Sequence, residues 1–209
     1  MKKIMFSDRF GLEQAVLDGR KTMTRRILPL RIANRIRRVD WRLLMPYQVG
    51  EIVAVAQSYK TIYDAMEEQE GNCKANKWWC SACDYVYIHQ HNQFGLATTE
   101  GYRNKMFVLA DIMPNKIKIT DAKLEYLQNI SDEDCLKEGI FKYDKPPYNH
   151  EADMFAPWAP FVRPYVLDSD NLIYRRTARL AFAYLIDKIS GGGTWWRNPQ
   201  VFAYDFELL

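Results

Sequence analysis

Gly19-Arg20-Lys21-Thr22-Met23-Thr24-Arg25-Arg26-Ile27 opens the basic part of a 209-residue chain. A short helix precedes it: Leu12, Ala15 and Val16 fall on one face, and Asp18-Gly19 supplies the stop. Within the stretch itself threonines alternate with charges, as an extended segment would. In a regular strand Lys21 and Met23 share one face while Thr22 and Thr24 share the other, so Lys21 meets Thr24 only across a turn or bulge. From Arg20 to Arg42 nine basic residues stand against one acid, Asp40, and eight of the nine are arginine. Such a run contacts phosphates or forms a solvated face, and its arginines suit bidentate anion recognition.

Outward from this segment, the composition is that of a globular protein, and the strands and helices read below give an expected α+β class. The hydrophobic fraction of 48% is ample for a core, and the net charge of +3 excludes no class of partner. No apolar run has the length of a membrane helix, and Met1 to Phe10 lacks the apolar centre of a leader. The expectation is therefore a cytoplasmic protein with no membrane partner. Val49-Gly50-Glu51 reads as a turn into a strand over 52–56, Met106 to Ile112 and Lys116 to Tyr126 as a second β region, and Val201 to Leu209 as a last strand. Ser131 before three acids predicts an N-cap, with a short helix closed by Gly139. A longer helix is expected from Ile173 to Ile189, with Leu180, Tyr184, Ile186 and Ile189 on its stripe; Ser190 and the three glycines after it form a stop. The regions 60–104 and 141–172 read as loop-rich insertions in a single domain over 1–209. Strands dominate without strand–helix alternation, which predicts a closed or partly closed, mostly antiparallel β-barrel with flanking helices.

The opening stretch also resembles the signature of the ASCH superfamily, in particular its phage and prophage branch. The likeness continues through Val49-Gly50-Glu51, Met113-Pro114, the run from Glu125 to Asp134 into Lys137-Glu138-Gly139-Ile140, and Trp196-Arg197-Asn198-Pro199 leading into Phe202-Ala203-Tyr204-Asp205-Phe206. It implies a PUA-like barrel and a nucleic-acid or modified-nucleoside ligand. Small bacterial members of the family are amidohydrolases that deacetylate 4-acetylcytidine with a Lys, a Thr and a Glu. The Lys and Thr belong to a Gly-x-Lys-Thr-x-Thr motif that falls on Lys21 and Thr24, and the best match for the Glu is Glu138. The resemblance thus implies that Lys21 activates Thr24 and that Glu138 handles the proton of the leaving amine. Arg26 matches an arginine of those enzymes; Arg20, Thr22 and Arg25 complete the expected ligand-binding set, with Arg20 and Arg25 on the rim. Where relatives commonly carry Trp-Val-Arg-Glu, this chain has Ala54-Val55-Ala56-Gln57, which implies a less charged pocket or a different ligand. The alternatives are a non-catalytic RNA- or DNA-binding module using the same arginines, and a phage accessory domain that binds a protein through 60–104.

Two further constellations need a reading. Cys80-Ser81-Ala82-Cys83 has the gap of a zinc knuckle, and Cys73 with His89 or His91 would complete a tetrahedral set. Cysteines beside Trp78 and Trp79 are more simply small buried hydrophobes, so no cofactor is expected. Aromatic residues Trp78, Trp79, Tyr85, Tyr87, Trp195 and Trp196 fill a barrel core or cap its ends, with one of the last two at the mouth. Gly191-Gly192-Gly193 has no following Lys-Ser/Thr and is no phosphate loop.

Overall fold

The structure is a computed structural model that describes residues 1–36, 38–67, 81–90, 95, 98–142, 164–167, 172–175 and 177–209. It is α+β. Five strands form one mixed sheet: β1 (Lys3–Ile4), β3 (Ile52–Val55), β4 (Lys116–Tyr126), β8 (Gln200–Leu208) and β2 (Met23–Ile27), in that hydrogen-bonded order. β1 runs parallel to β3, while β3–β4 and β2–β8 are antiparallel. The sheet is open, with β1 and β2 as its two edges, so the expected closure into a barrel is corrected. Closure needs strands long enough to tilt and stagger around an axis, and β1 supplies only two residues.

The chain divides into two compact units. The first comprises 1–6, 46–121 and 206–209. Val53, Ala54 and Val55 of β3 are fully buried, and Ala54 and Ala56 pack with Tyr59, Ile62, Ala82, Cys83, Val86, Val108 and Met113. Tyr59 and Ile62 belong to helix α3 (Tyr59–Glu67), and Ala82, Cys83 and Val86 to helix α4 (Ser81–Gln90). The region expected to be a loop-rich insertion therefore contributes two helices to a core. The strand expected over Met106–Ile112 is replaced by two 3-10 turns, Lys105–Phe107 and Ala110–Ile112. Side chains take the groups a ladder would use: Lys3 Nζ donates to the carbonyls of Met106 and Val108, and the Leu109 N–H donates to the Tyr59 hydroxyl at 2.9 Å.

The second unit comprises 7–45 and 122–205. It holds helix α1 (Leu12–Leu17), strand β2, helix α2 (Leu30–Ile36), a 3-10 turn over Trp41–Leu44 and helix α5 (Asp132–Lys137). Three strands, β5 (Phe141–Lys142), β6 (Pro164–Leu167) and β7 (Leu172–Tyr174), pair antiparallel in a second sheet. Part of the expected loop 141–172 is thus strand, and the helix expected from Ile173 starts later. Thr177 caps it by accepting from the Leu180 N–H, giving helix α6 (Ala178–Ser190), followed by α7 (Thr194–Arg197). The buried stripe of α6 is Ala178, Ala181, Phe182, Leu185 and Ile186, not the stripe through Leu180 and Ile189, which are about half exposed.

Two of the elements that carry the site meet at Gly139. Its φ of +98° lies where side-chain-bearing residues are strained, and an added Cβ would come 3.1 Å from Leu12 Cδ2 and 3.6 Å from Lys21 Cδ. Gly139→Ala is expected to destabilise the protein by about 1–3 kcal/mol, read as a lower urea midpoint with an unchanged slope.

Candidate functional site

The turn after α1 sets the first residue. Gly19, at φ +71°, reverses the chain, and the Lys21 N–H donates to the Ala15 carbonyl at 2.8 Å. The Thr22 N–H donates to the Lys137 carbonyl at 2.9 Å, which ties this segment to the end of α5 before β2 begins at Met23. α5 forms because Ser131 Oγ accepts from the Asp134 N–H and three acids occupy the first turn. It ends at Glu138, and there the two chain segments meet.

Lys21 Nζ donates to Glu138 Oε2 at 2.6 Å and to the Glu138 carbonyl at 2.7 Å. Both side chains are buried, 2% and 5% exposed. The other carboxylate oxygen, Oε1, accepts from Arg25 Nη1 at 3.3 Å. Arg25 has a fully buried side chain and is held further by Glu125 Oε1 at 2.8 Å and Asp134 Oδ2 at 2.7 Å from Nη2, with Met23 Sδ 3.0 Å from Nη1. Lys123 Nζ lies 3.2 Å from Asp134. Three cations and three carboxylates therefore form one connected cluster. Arg25, expected on a pocket rim, instead sits inside this cluster because its strand position faces the carboxylates of β4 and α5.

Burial pushes the Lys21 ammonium below its ordinary value; the charge and hydrogen bond of Glu138 oppose this, and Arg26 and Arg25 reinforce it. For Arg25 burial also acts against the charge, but Glu138, Asp134 and Glu125 outweigh it and the guanidinium is raised. Asp134 is held below its ordinary 3.8: burial works the other way, and the hydrogen bonds from Arg25 and Lys123 overcome it. Cys135, buried in the same helix, is pushed up to about 12 by burial and then by Asp132, so its thiol is not a nucleophile near neutral pH.

Thr24 is placed differently. In the β2–β8 register Thr24 lies opposite Tyr204 and Arg26 opposite Phe202, while Met23 and Arg25 lie opposite Asp205 and Ala203. Side chains alternate along a strand, so Thr24 and Arg26 share the face of Tyr204 and Phe202, away from that of Arg25. Thr24 is 4% exposed, and among the described residues no hydrogen bond joins it to Lys21 or Glu138. Lys21 precedes the strand and is not bound by its alternation; its charge acts on Arg26 of the Thr24 face as well as on Arg25. Thr22 and Arg26 are half-buried. Arg20 is exposed, pairs with Asp18 at 2.9 Å and lies over the Phe141 ring at 5.9 Å.

Sequence reasoning did not single out Glu125, Asp134 and Lys123. The signal was available: Asp134 and Glu138 are four apart on a helix, and Lys123 and Glu125 two apart on a strand, so each pair shares a face. Of the cysteine set, Cys83 lies in the apolar core of the first unit, while Cys73, Cys80, His91 and the His89 side chain lie outside the described residues. Trp78 and Trp79 lie outside them too. Trp195 and the 82%-exposed Trp196 help line a shallow depression of about 640 Å³ with Tyr184 and Gly191-Gly192, none of which belongs to the Lys21 cluster. Among the described residues no helix is long and apolar enough to cross a membrane, and no three His, Cys, Asp or Glu side chains are grouped as metal ligands.

No family model, no curated protein and no solved structure matches the chain.

Removing one member of a buried ionic cluster leaves its partners uncompensated. Arg25→Met is expected to cost about 3–5 kcal/mol in urea denaturation. Asp134 has a lowered folded value, so its stabilisation is complete above 3.8 and is lost as pH falls through that folded value. Asp134→Asn should therefore be less stable than the parent at neutral pH, and the gap should close as pH falls below 3.8.

Proposed function

We propose that this chain is an ASCH-type domain that binds a modified, cytidine-like nucleoside and hydrolyses the amide of its N-acyl group. The observation that carries the reading is the buried contact of Lys21 Nζ with Glu138 Oε2, between residues 117 apart in the chain. The ASCH-type signature requires these two side chains to work together, and the depressed ammonium supports Lys21 as the base. In this mechanism Thr24 Oγ1 attacks the amide carbonyl as Lys21 takes its proton. Glu138 relays a proton to the departing amine as the C–N bond breaks, and water then hydrolyses the acyl-threonine to the free carboxylic acid. The mechanism requires the segment at Thr22-Met23 to bring Thr24 Oγ1 to the Lys21 side when substrate is bound.

A non-catalytic nucleic-acid-binding module is the second reading. The saturation of Arg25 by three carboxylates favours it, since such a cluster also serves structure alone.

Incubation with 4-acetylcytidine and chromatography separates the two. The hydrolase releases cytidine, and Thr24→Ala, folded by circular dichroism, loses at least about 100-fold in rate. Absence of turnover by the folded parent protein on acylated cytidine, both free and within a single-stranded oligonucleotide, sinks the hydrolase. The rate should also rise with pH through an apparent value below 10.5 as Lys21 loses its proton. Glu138→Gln should lose turnover by at least about 100-fold, because an amide cannot relay the proton to the departing amine.

A further inference from the structure

Much of the basic run from Arg20 to Arg42 is not used by the buried cluster. Lys21 and Arg25 are consumed by carboxylates, and Arg20 pairs with Asp18. Arg31, Arg35 and Arg38 are exposed, and no acid among the described residues pairs with them. Arg31 and Arg35 are four apart on α2, so they share a face and lie about 6 Å apart along its axis. α2 has no fully buried residue: Ile32, Ala33 and Ile36 are half-buried, and Leu30 stands 85% exposed. After Arg38, Val39 is partly exposed and Leu43 75% exposed. Among the described residues, then, no carboxylate neutralises the charges of Arg31, Arg35 and Arg38.

The arm is anchored beside Thr24. It leaves β2 through the buried Leu28, whose N–H donates to the Gln200 carbonyl at 3.0 Å. It returns through Trp41, stacked on Phe202 with ring centroids 6.3 Å apart at 28°. Phe202 is the register partner of Arg26 and shares a face with Thr24 and Tyr204. Arg42 lies over the Trp41 ring at 4.7 Å.

We infer that α2 and residues 38–44 form a docking surface for single-stranded nucleic acid, so that the base acted on is presented within a strand and not as a lone nucleoside. Its last clause rests on the nucleoside-hydrolase reading; the binding surface does not. Charge complementarity selects the occupant: a row of exposed guanidiniums matches a row of phosphates, and arginine grips phosphate with two parallel hydrogen bonds. Exposed apolar tips beside them offer contact to unstacked bases. The single-strand form of the occupant rests on the same reading, since a base acted on inside a duplex would first have to leave its stack. α2 is seven residues long with one side turned to the protein, which makes it a poor interfacial membrane helix.

The test compares the parent protein with a triple variant, Arg31→Gln with Arg35→Gln and Arg38→Gln. A control removes the same charge from the first unit through Lys60→Gln, Arg103→Gln and Lys118→Gln. Each binds a fluorescent single-stranded oligoribonucleotide, followed by anisotropy between about 50 and 200 mM salt. The arginine variant is expected to bind at least about tenfold more weakly at the low end, with a log–log salt slope shallower by about 2, while the control keeps the parent slope. Because α2 buries no residue fully, the variant should keep the parent Tm. Equal affinity and slope in the parent and the arginine variant overturn the inference, and so does an equal loss in the control. Binding of the parent to phosphatidylserine vesicles but not to the oligonucleotide overturns it in favour of a lipid surface. Arginine-dependent strand binding without deacylation of an acylated cytidine, free or within the strand, removes the hydrolase reading and leaves the docking surface standing.

Discussion

One carboxylate, that of Glu138, is shared by two buried cations that arrive from the same short segment. Lys21 takes one oxygen and Arg25 the other. A buried ammonium or guanidinium without such a partner would be costly, so the approach of α5 to β2 is a condition for either to be where it is. The turn at Gly19, the cap at Ser131 and the left-handed Gly139 all serve that approach. Glu125 and Asp134 complete the charge balance around Arg25.

This sharing makes the two cations unequal. Arg25 is saturated and its charge is reinforced, which fits it to hold elements together and leaves it no donor to spare for a ligand. Among the described residues Lys21 pairs with one carboxylate, and burial weakens its hold on its proton. The same carboxylate thus helps fix one cation and only partly offsets the burial that lowers the other, the direction a proton acceptor requires.

Where local signals suffice, sequence and structure agree. α1 follows from its apolar spacing, α5 from Ser131 and its acids, β4 from the alternation of Ile117 to Thr120, and the last strand from its run of apolar residues. The resemblance named Lys21 and Glu138 as site residues, but nothing in the sequence shows that side chains 117 residues apart meet. What was not legible depends on partners far away in the chain. Met106 to Ile112 has strand-like composition, but Lys3 takes its carbonyls from over a hundred residues away. Arg25 was expected on a rim because exposure is the usual state of arginine, and nothing local says that three carboxylates from β4 and α5 will converge on it. Openness of the sheet likewise depends on β1 being only two residues long and pairing parallel to β3.

The boundary between the two units crosses the chain between residues 6 and 7, 45 and 46, 121 and 122, and 205 and 206. Two of those crossings cut through the middle of strands β4 and β8. On a ribosome, the first unit has to wait for 206–209, whose Leu209 N–H donates to the Lys116 carbonyl and whose Phe206 packs on Phe6 at 5.8 Å. The second waits for the residues of β8 that pair with β2. Neither unit is complete until β8 has been made, so the chain has no early folded half; acquisition of structure is deferred to the emergence of that one strand.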